Sequence, residues 1–131
     1  MLSALMRQGP DQSVIKWLDR QPRTSIWITA VTVFEIRFGL QILASGRRRT
    51  LLTEAFDELL ATLGQRVLMF DAVAALEASG LMAARHKKGR PGDLRDTMIA
   101  GIVLAQHATL ATRNTAHFED ARIPLVNPWT N

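Results

Sequence analysis

Ser25-Ile26-Trp27-Ile28-Thr29-Ala30-Val31-Thr32-Val33-Phe34-Glu35-Ile36-Arg37-Phe38-Gly39-Leu40-Gln41-Ile42-Leu43 carries two hydrophobic patterns in succession. Ser25 to Ile28 is short and apolar, the pattern of a strand. From Thr29 to Leu43, the residues Val33, Ile36, Leu40 and Leu43 recur at intervals of three and four and share one face of a helix. A strand that runs directly into an amphipathic helix is the repeating unit of a parallel α/β fold.

The same alternation continues outward. Upstream, Val14, Ile15, Trp17 and Leu18 give Ser13 to Arg20 a helical spacing, ended by Gln21-Pro22-Arg23. Downstream, Gly46-Arg47-Arg48-Arg49 reads as a basic turn, and Thr50 to Leu63 as a second amphipathic helix closed near Gly64. Val67-Leu68-Met69-Phe70 is a buried-strand run. Asp71 is placed to cap the alanine-rich helix that ends near Lys88-Gly89. After the loop Gly89-Arg90-Pro91-Gly92, Asp93 or a neighbour starts a helix through Met98, Ile99, Ile102, Val103 and Ala105. Thr109 to Thr112 is a strand and Ile123 to Val126 a shorter one. Strands separated by helices predict a mainly parallel sheet with helices on both faces.

The 131 residues suit one compact domain, and 47% hydrophobic content is enough for a core. No apolar run approaches the ~18 residues that a membrane span needs. There is no cysteine, which excludes disulfides and thiolate metal sites and fits a cytoplasmic protein. The formal charge of +4 favours polyanionic partners, nucleic acid first.

Parallel sheets bind ligands at the carboxyl ends of their strands. That rule points to the residues just after Ile28 and Thr112 and to the helix starts facing them. Glu35 lies one to two turns into its helix among Val31, Val33, Phe34 and Ile36, an apolar setting for a carboxylate. Asp96 lies early in a helix, where the dipole alone would tolerate an acid. Asn114 follows a strand, where turn formers are common. Acids from separate elements that meet at one sheet edge repel unless a cation neutralises them, and Mg²⁺ and Mn²⁺ prefer such oxygen donors.

The basic residues fall into two groups. Arg47, Arg48 and Arg49 form one; Arg85, His86, Lys87, Lys88, Arg90 and Arg95 form the other. Each reads either as a solvated turn or as a track for a phosphate backbone. Arg90 and Arg95 flank Asp96, which favours the track for the second group. Trp17, Trp27 and Trp129 fit a core or an interface better than a base-stacking platform. His86, His107 and His117 show no zinc-ligand spacing, and His107 fits a helix end.

Together these stretches resemble the PIN-domain ribonucleases of the VapC type, toxins of bacterial toxin–antitoxin pairs. Thr29 to Gly39, with Glu35, resembles the family's second acidic motif. Gly89 to Ala100, with Asp96, resembles the third. Leu110 to Phe118 resembles the fourth, and Val126-Asn127-Pro128-Trp129 is similar to the ending of the FitB-like branch. The resemblance implies a single PIN domain over residues 1–131, a three-layer α/β/α sandwich with a mainly parallel central sheet. It implies a Mg²⁺- or Mn²⁺-dependent endoribonuclease, a homodimer and a cognate VapB-type antitoxin.

In that reading Glu35 and Asp96 hold the metal, Asn114 supports them, and Asp93 is an auxiliary acid. Arg90, Arg95, Arg113 and His117 contact RNA. The alternative is a catalytically silent PIN-domain protein that only binds antitoxin or RNA. A DNA-directed role lacks a recognition-helix signature and would need a partner to supply DNA binding.

Two departures from the family are expected to matter. The family opens with a strand ending in Leu-Asp-Thr-Asn, whereas Met1-Leu2-Ser3-Ala4-Leu5-Met6-Arg7 matches only the part after that motif. The first strand and first catalytic aspartate are thus expected to be missing, at a cost of several kcal/mol in exposed apolar surface and unpaired backbone. Met1 stands where the family usually has valine, whose codon can serve as a start. A start placed one strand downstream and a true truncation are therefore the two accounts, and the DNA upstream of codon 1 separates them. The second departure is in the fourth motif, where neither Asn114 nor His117 is acidic. Fewer carboxylates predict weaker Mg²⁺ binding.

Overall fold

The structure, a computed structural model, describes residues 20–21 and 25–128. The helix expected over Ser13 to Arg20, the opening segment from Met1, Pro22-Arg23, and both Trp17 and Trp129 lie outside the described residues. The elements run β1 (Ile28–Thr29), α1 (Ala30–Ile42), α2 (Arg47–Leu63), β2 (Val67–Leu68), α3 (Ala72–Lys87), α4 (Leu94–Gln106), β3 (Leu110–Ala111), a 3₁₀ helix (Thr115–Ala121) and β4 (Leu125–Val126). The four α-helices and four strands among the described residues lie at the places that the hydrophobic pattern predicts, with shorter strands and an earlier start to α2, while the 3₁₀ helix is not expected from that pattern.

The strands pair in parallel. β1 pairs with β2, Ile28 opposite Val67 and Thr29 opposite Leu68. β3 pairs with β4, Leu110 opposite Leu125 and Ala111 opposite Val126. Parallel pairing follows from the helical crossovers between them, which return the chain to the same end of the sheet.

Local chemistry sets the boundaries. The Thr32 amide donates to Thr29 Oγ1 at 3.0 Å, so β1 turns into α1 at a threonine cap. Asp71 caps α3 in the same way, accepting from the Ala74 amide at 3.0 Å. One expectation is corrected: Arg47, Arg48 and Arg49 are the first turn of α2, not a turn outside it. Cations oppose the helix dipole there. Arginine nonetheless has high helix propensity, and the Thr50 amide already closes the first helical bond onto the Gly46 carbonyl at 3.1 Å. Arg49 also donates to Gln41 Oε1 at 3.1 Å.

Two apolar clusters form the core. Ile28, Ile36, Leu40, Phe56 and Leu63 join β1, α1 and α2, with Val33, Leu43 and Val67 packed against them. Val31, Ala74, Ile99, Ala100, Ile102, Val103, Phe118 and Ala121 form the second, centred on α4. Six residues of α4, Thr97 and Ile99 to Val103, are buried, so this helix is covered nearly all round. Its closest neighbour is α3, whose Ala74 and Ala78 are buried against it. Trp27 is half-exposed rather than a core residue. Among the described residues no helix is long and apolar enough to cross a membrane.

Candidate active site

Residues 35, 96 and 114 arrive from three different elements and line one cleft of about 930 Å³. Its walls include the ends of β1 and β3, through Ile28, Thr29, Leu110, Ala111 and Thr112, and its floor includes Ile99 and Val103 of α4. β1 and β3 belong to two separate parallel pairs, and strands of both contribute to this cleft, as the carboxyl ends of parallel strands do for ligands.

Each side chain has a local reason for its place. Glu35 lies in α1 beside buried Ile36, and its carboxylate comes to within 3.7 Å of Arg95 of α4. Asp96 lies in the first turn of α4. The Asp96 amide donates to Asp93 Oδ1 at 3.0 Å, which makes Asp93 the cap of that helix. Asn114 opens the 3₁₀ helix, and its amide donates to the buried Thr112 Oγ1 at 3.1 Å. The His117 amide donates to the Asn114 carbonyl at 3.0 Å.

That last turn carries the imidazole back to the acids: His117 Nδ1 lies 3.0 Å from Asp96 Oδ2. In the tautomer with its proton on Nδ1, the ring N–H donates to the carboxylate. Arg95 Nε stands 3.7 Å from Glu35 Oε2. Arg90 and Arg113 are exposed.

Burial pushes the Glu35 carboxyl above the usual carboxylate range; Arg95 opposes the rise, and Asp96 and Asp93 add to it. With the folded value above the unfolded one, the unfolded chain releases its proton first as pH rises. Stability therefore falls between the ordinary and the raised value, and charged Glu35 is a standing cost above that window. Glu35→Gln should raise Tm at pH 7 by about 1–2 °C and leave Tm near pH 3 unchanged. A lower Tm at pH 7 would mean that the Arg95 ion pair outweighs the desolvation of Glu35.

The donor chemistry suits a hard divalent cation: two carboxylates and an amide carbonyl, all oxygen. Among the described residues no three His, Asp or Glu side chains converge on a single point. Glu35 and Asp96 are the cleft carboxylates that would hold such an ion, and Mg²⁺ accepts water and substrate phosphate beside them.

One sequence reading needs correction. Arg85 belongs neither to a solvated turn nor to a phosphate track. It is 5% exposed, with Nε donating to Asp120 Oδ2 at 2.8 Å. The charge run around it hid this, because only position on the buried stripe of α3 separates Arg85 from His86, Lys87 and Lys88. Asp120, missed entirely, is held below the usual carboxylate range by its hydrogen bonds from Arg85.

The PIN domain family model matches residues 1–123. The chain belongs to the PIN-domain family. A VapC ribonuclease, Y4jK of Sinorhizobium fredii, is 36% identical over 98% of this chain and 93% of that protein. The toxin FitB of Neisseria gonorrhoeae is 28% identical over 98% of this chain and 94% of its own length. Among solved structures, FitAB bound to an IR36 DNA fragment superposes with a TM-score of 0.88 at 29% identity, covering 98% of this chain and 90% of that one. The PIN-like α/β sandwich with parallel strands expected from the sequence is thereby shown, as is the resemblance to VapC and FitB proteins. Nuclease and toxin homology extends over nearly the whole PIN domain.

Proposed function

We propose that this PIN domain is a Mg²⁺- or Mn²⁺-dependent endoribonuclease, the toxin of a type II toxin–antitoxin pair, acting as a single domain in the cytoplasm. The observation that carries the reading is the lining of one cleft by Glu35, Asp96 and Asn114. Similarity to a VapC ribonuclease and to the FitB toxin supports it. The FitAB complex supports a VapB-type antitoxin as partner. A homodimer accords with the same reading.

Glu35 and Asp96 would hold the divalent ion, which would supply charge neutralisation at the phosphodiester oxygens and a more acidic water. Where it does not hold the ion, Glu35 would take the proton of the attacking water. Asn114 orients that water or a phosphate oxygen through its amide. His117 contacts Asp96 through Nδ1 and would take part in RNA binding. Arg90, Arg95 and Arg113 attract and align the RNA backbone, so binding should weaken as salt rises. Asp93 contributes as cap and as nearby charge.

Purified protein should cleave RNA with millimolar Mg²⁺ or Mn²⁺, stop when EDTA is added, and resume when the ion is restored. Expression without the antitoxin should arrest growth. Cleavage that persists in EDTA would sink the metal-dependent reading. A second reading, a silent PIN domain that only binds antitoxin or RNA, is favoured by the fourth motif, where neither Asn114 nor His117 is acidic. It predicts antitoxin binding without growth arrest.

A further inference from the structure

Arg85 directs four of its five guanidinium N–H donors to segments beside the cleft. Nε and Nη2 donate to the two carboxylate oxygens of Asp120, each at 2.8 Å. Nη2 also donates to the His117 carbonyl at 2.9 Å. Nη1 donates to Thr97 Oγ1 at 2.7 Å. Thr97 is the neighbour of Asp96, and its hydroxyl donates onward to the Asp93 carbonyl at 2.8 Å. The loop before α4 closes on the same residue. The Arg90 amide donates to the Arg85 carbonyl at 2.8 Å. Gly92, at φ +67°, would bring a Cβ within 3.0 Å of Nη1. One residue of α3 thus ties together the start of α4 and the 3₁₀ helix through its side chain, and the loop that leads into α4 through its backbone carbonyl.

We propose that Arg85 is a positioning residue that sets the contact between His117 and Asp96. The consequence for turnover rests on the nuclease reading above; the geometry does not. The His117–Asp96 pair is open to solvent, with His117 57% and Asp96 23% exposed. Exposed pairs of this kind contribute little and do not fix their own geometry. The fork of Arg85 is buried, planar and charge-assisted, and its donors reach two separate segments in fixed directions.

Stability alone explains such a residue poorly. A buried ion pair adds little over well-packed apolar side chains of the same volume. What an apolar residue would lack is the directional link between Thr97 and His117. Lysine would keep the charge and lose the plane, serving one side of the fork at a time.

The test uses Arg85→Lys and Asp120→Asn, with Leu63→Ala in the other apolar cluster as a control for general loss of stability. The imidazole ¹⁵N–¹H correlations of His117 report the contact directly, beside kcat and KM for RNA cleavage. Both site variants should shift or broaden the His117 Nδ1–H signal and lower kcat about 10-fold with KM nearly unchanged. Leu63→Ala should lower Tm and leave the His117 signals in place.

Asp120 is half-exposed, so Asp120→Asn carries the test if Arg85→Lys fails to fold. Wild-type His117 signals in the folded variants would overturn the proposal and leave Arg85 a purely structural tie. A wild-type protein that cleaves no RNA would overturn the nuclease reading, while the His117 signals would still decide the role of Arg85.

Discussion

Gly101→Ala is expected to lower Tm by about 5 °C. A methyl group at this position of α4 would lie 2.5 Å from the Ala74 carbonyl oxygen, 2.7 Å from Ala78 Cβ and 2.9 Å from the Ala78 amide nitrogen. Two of these atoms are backbone, so no side-chain rotation relieves the clash. The helices must part by roughly an ångström to restore ordinary contact, and a gap of that size forfeits a quarter to a half of each dispersion contact along the interface.

Overpacking of this kind costs about 1–3 kcal/mol and can cost more. The gain of about 1 kcal/mol in helix propensity on replacing glycine offsets only part of it. The buried alanines of α3 show that small residues on both sides set this spacing. The consequence reaches the cleft as well. Arg85 is on α3 and Thr97 on α4, joined at 2.7 Å, so parting the helices should also weaken cleavage in the protein that remains folded. Thermal melts of the purified variant check the prediction; a Tm within about 2 °C of wild type would show that α3 can slide without loss.

The helices were legible because their signals are local. The 3,4 spacing of Val33, Ile36, Leu40 and Leu43 marks α1, and all four pack in one cluster. Asp71 and Asp93 sit where caps belong and cap. His107 ends α4 in the left-handed region, at φ 52°, as its place near a helix end suggests.

Strand limits were less legible. Pairing depends on which partner strand lies alongside, and only Val67–Leu68 of the longer run Val67 to Phe70 pairs with β1. The strand-end rule pointed to the neighbourhood of Glu35, Asp96 and Asn114, but their grouping as one set came through the resemblance, since no spacing rule joins residues so far apart. The His117–Asp96 contact and the Arg85–Asp120 fork were illegible for a physical reason. Both depend on the turn of the 3₁₀ helix, which carries no periodic pattern. The stripe Phe34, Phe38 and Ile42 on α1 is exposed, with the two rings stacked 6.4 Å apart. An amphipathic reading of α1 assigned the core face correctly and said nothing of this one.

Asp96→Asn is expected to remove RNA cleavage almost entirely, by on the order of 10³-fold in kcat/KM. Loss of an outer partner at a metal site typically costs 10–100-fold. Asp96 is proposed as a direct holder of the ion, so its loss should exceed that range. The amide keeps the shape of the side chain, and it keeps one oxygen that can accept from His117. It loses the charge, and with few carboxylates available in the cleft that charge is a large share of what draws a divalent cation there.

Stability should change little, because Asp96 is partly exposed and Asp93, not Asp96, caps the helix. Asp93→Asn is the informative comparison. Asparagine caps helices about as well as aspartate, so this variant removes charge near the cleft without removing the cap and should cost less than about 10-fold. Calorimetric titration with Mn²⁺ separates the two effects, since Asp96→Asn should weaken ion binding far more than Asp93→Asn does. If Asp96→Asn cleaves RNA at the wild-type rate, Asp96 is not a holder of the ion. The carboxylate would then be a dipole-tolerated acid at a helix start, and the chemistry would have to be sought around Glu35 and Asn114 alone.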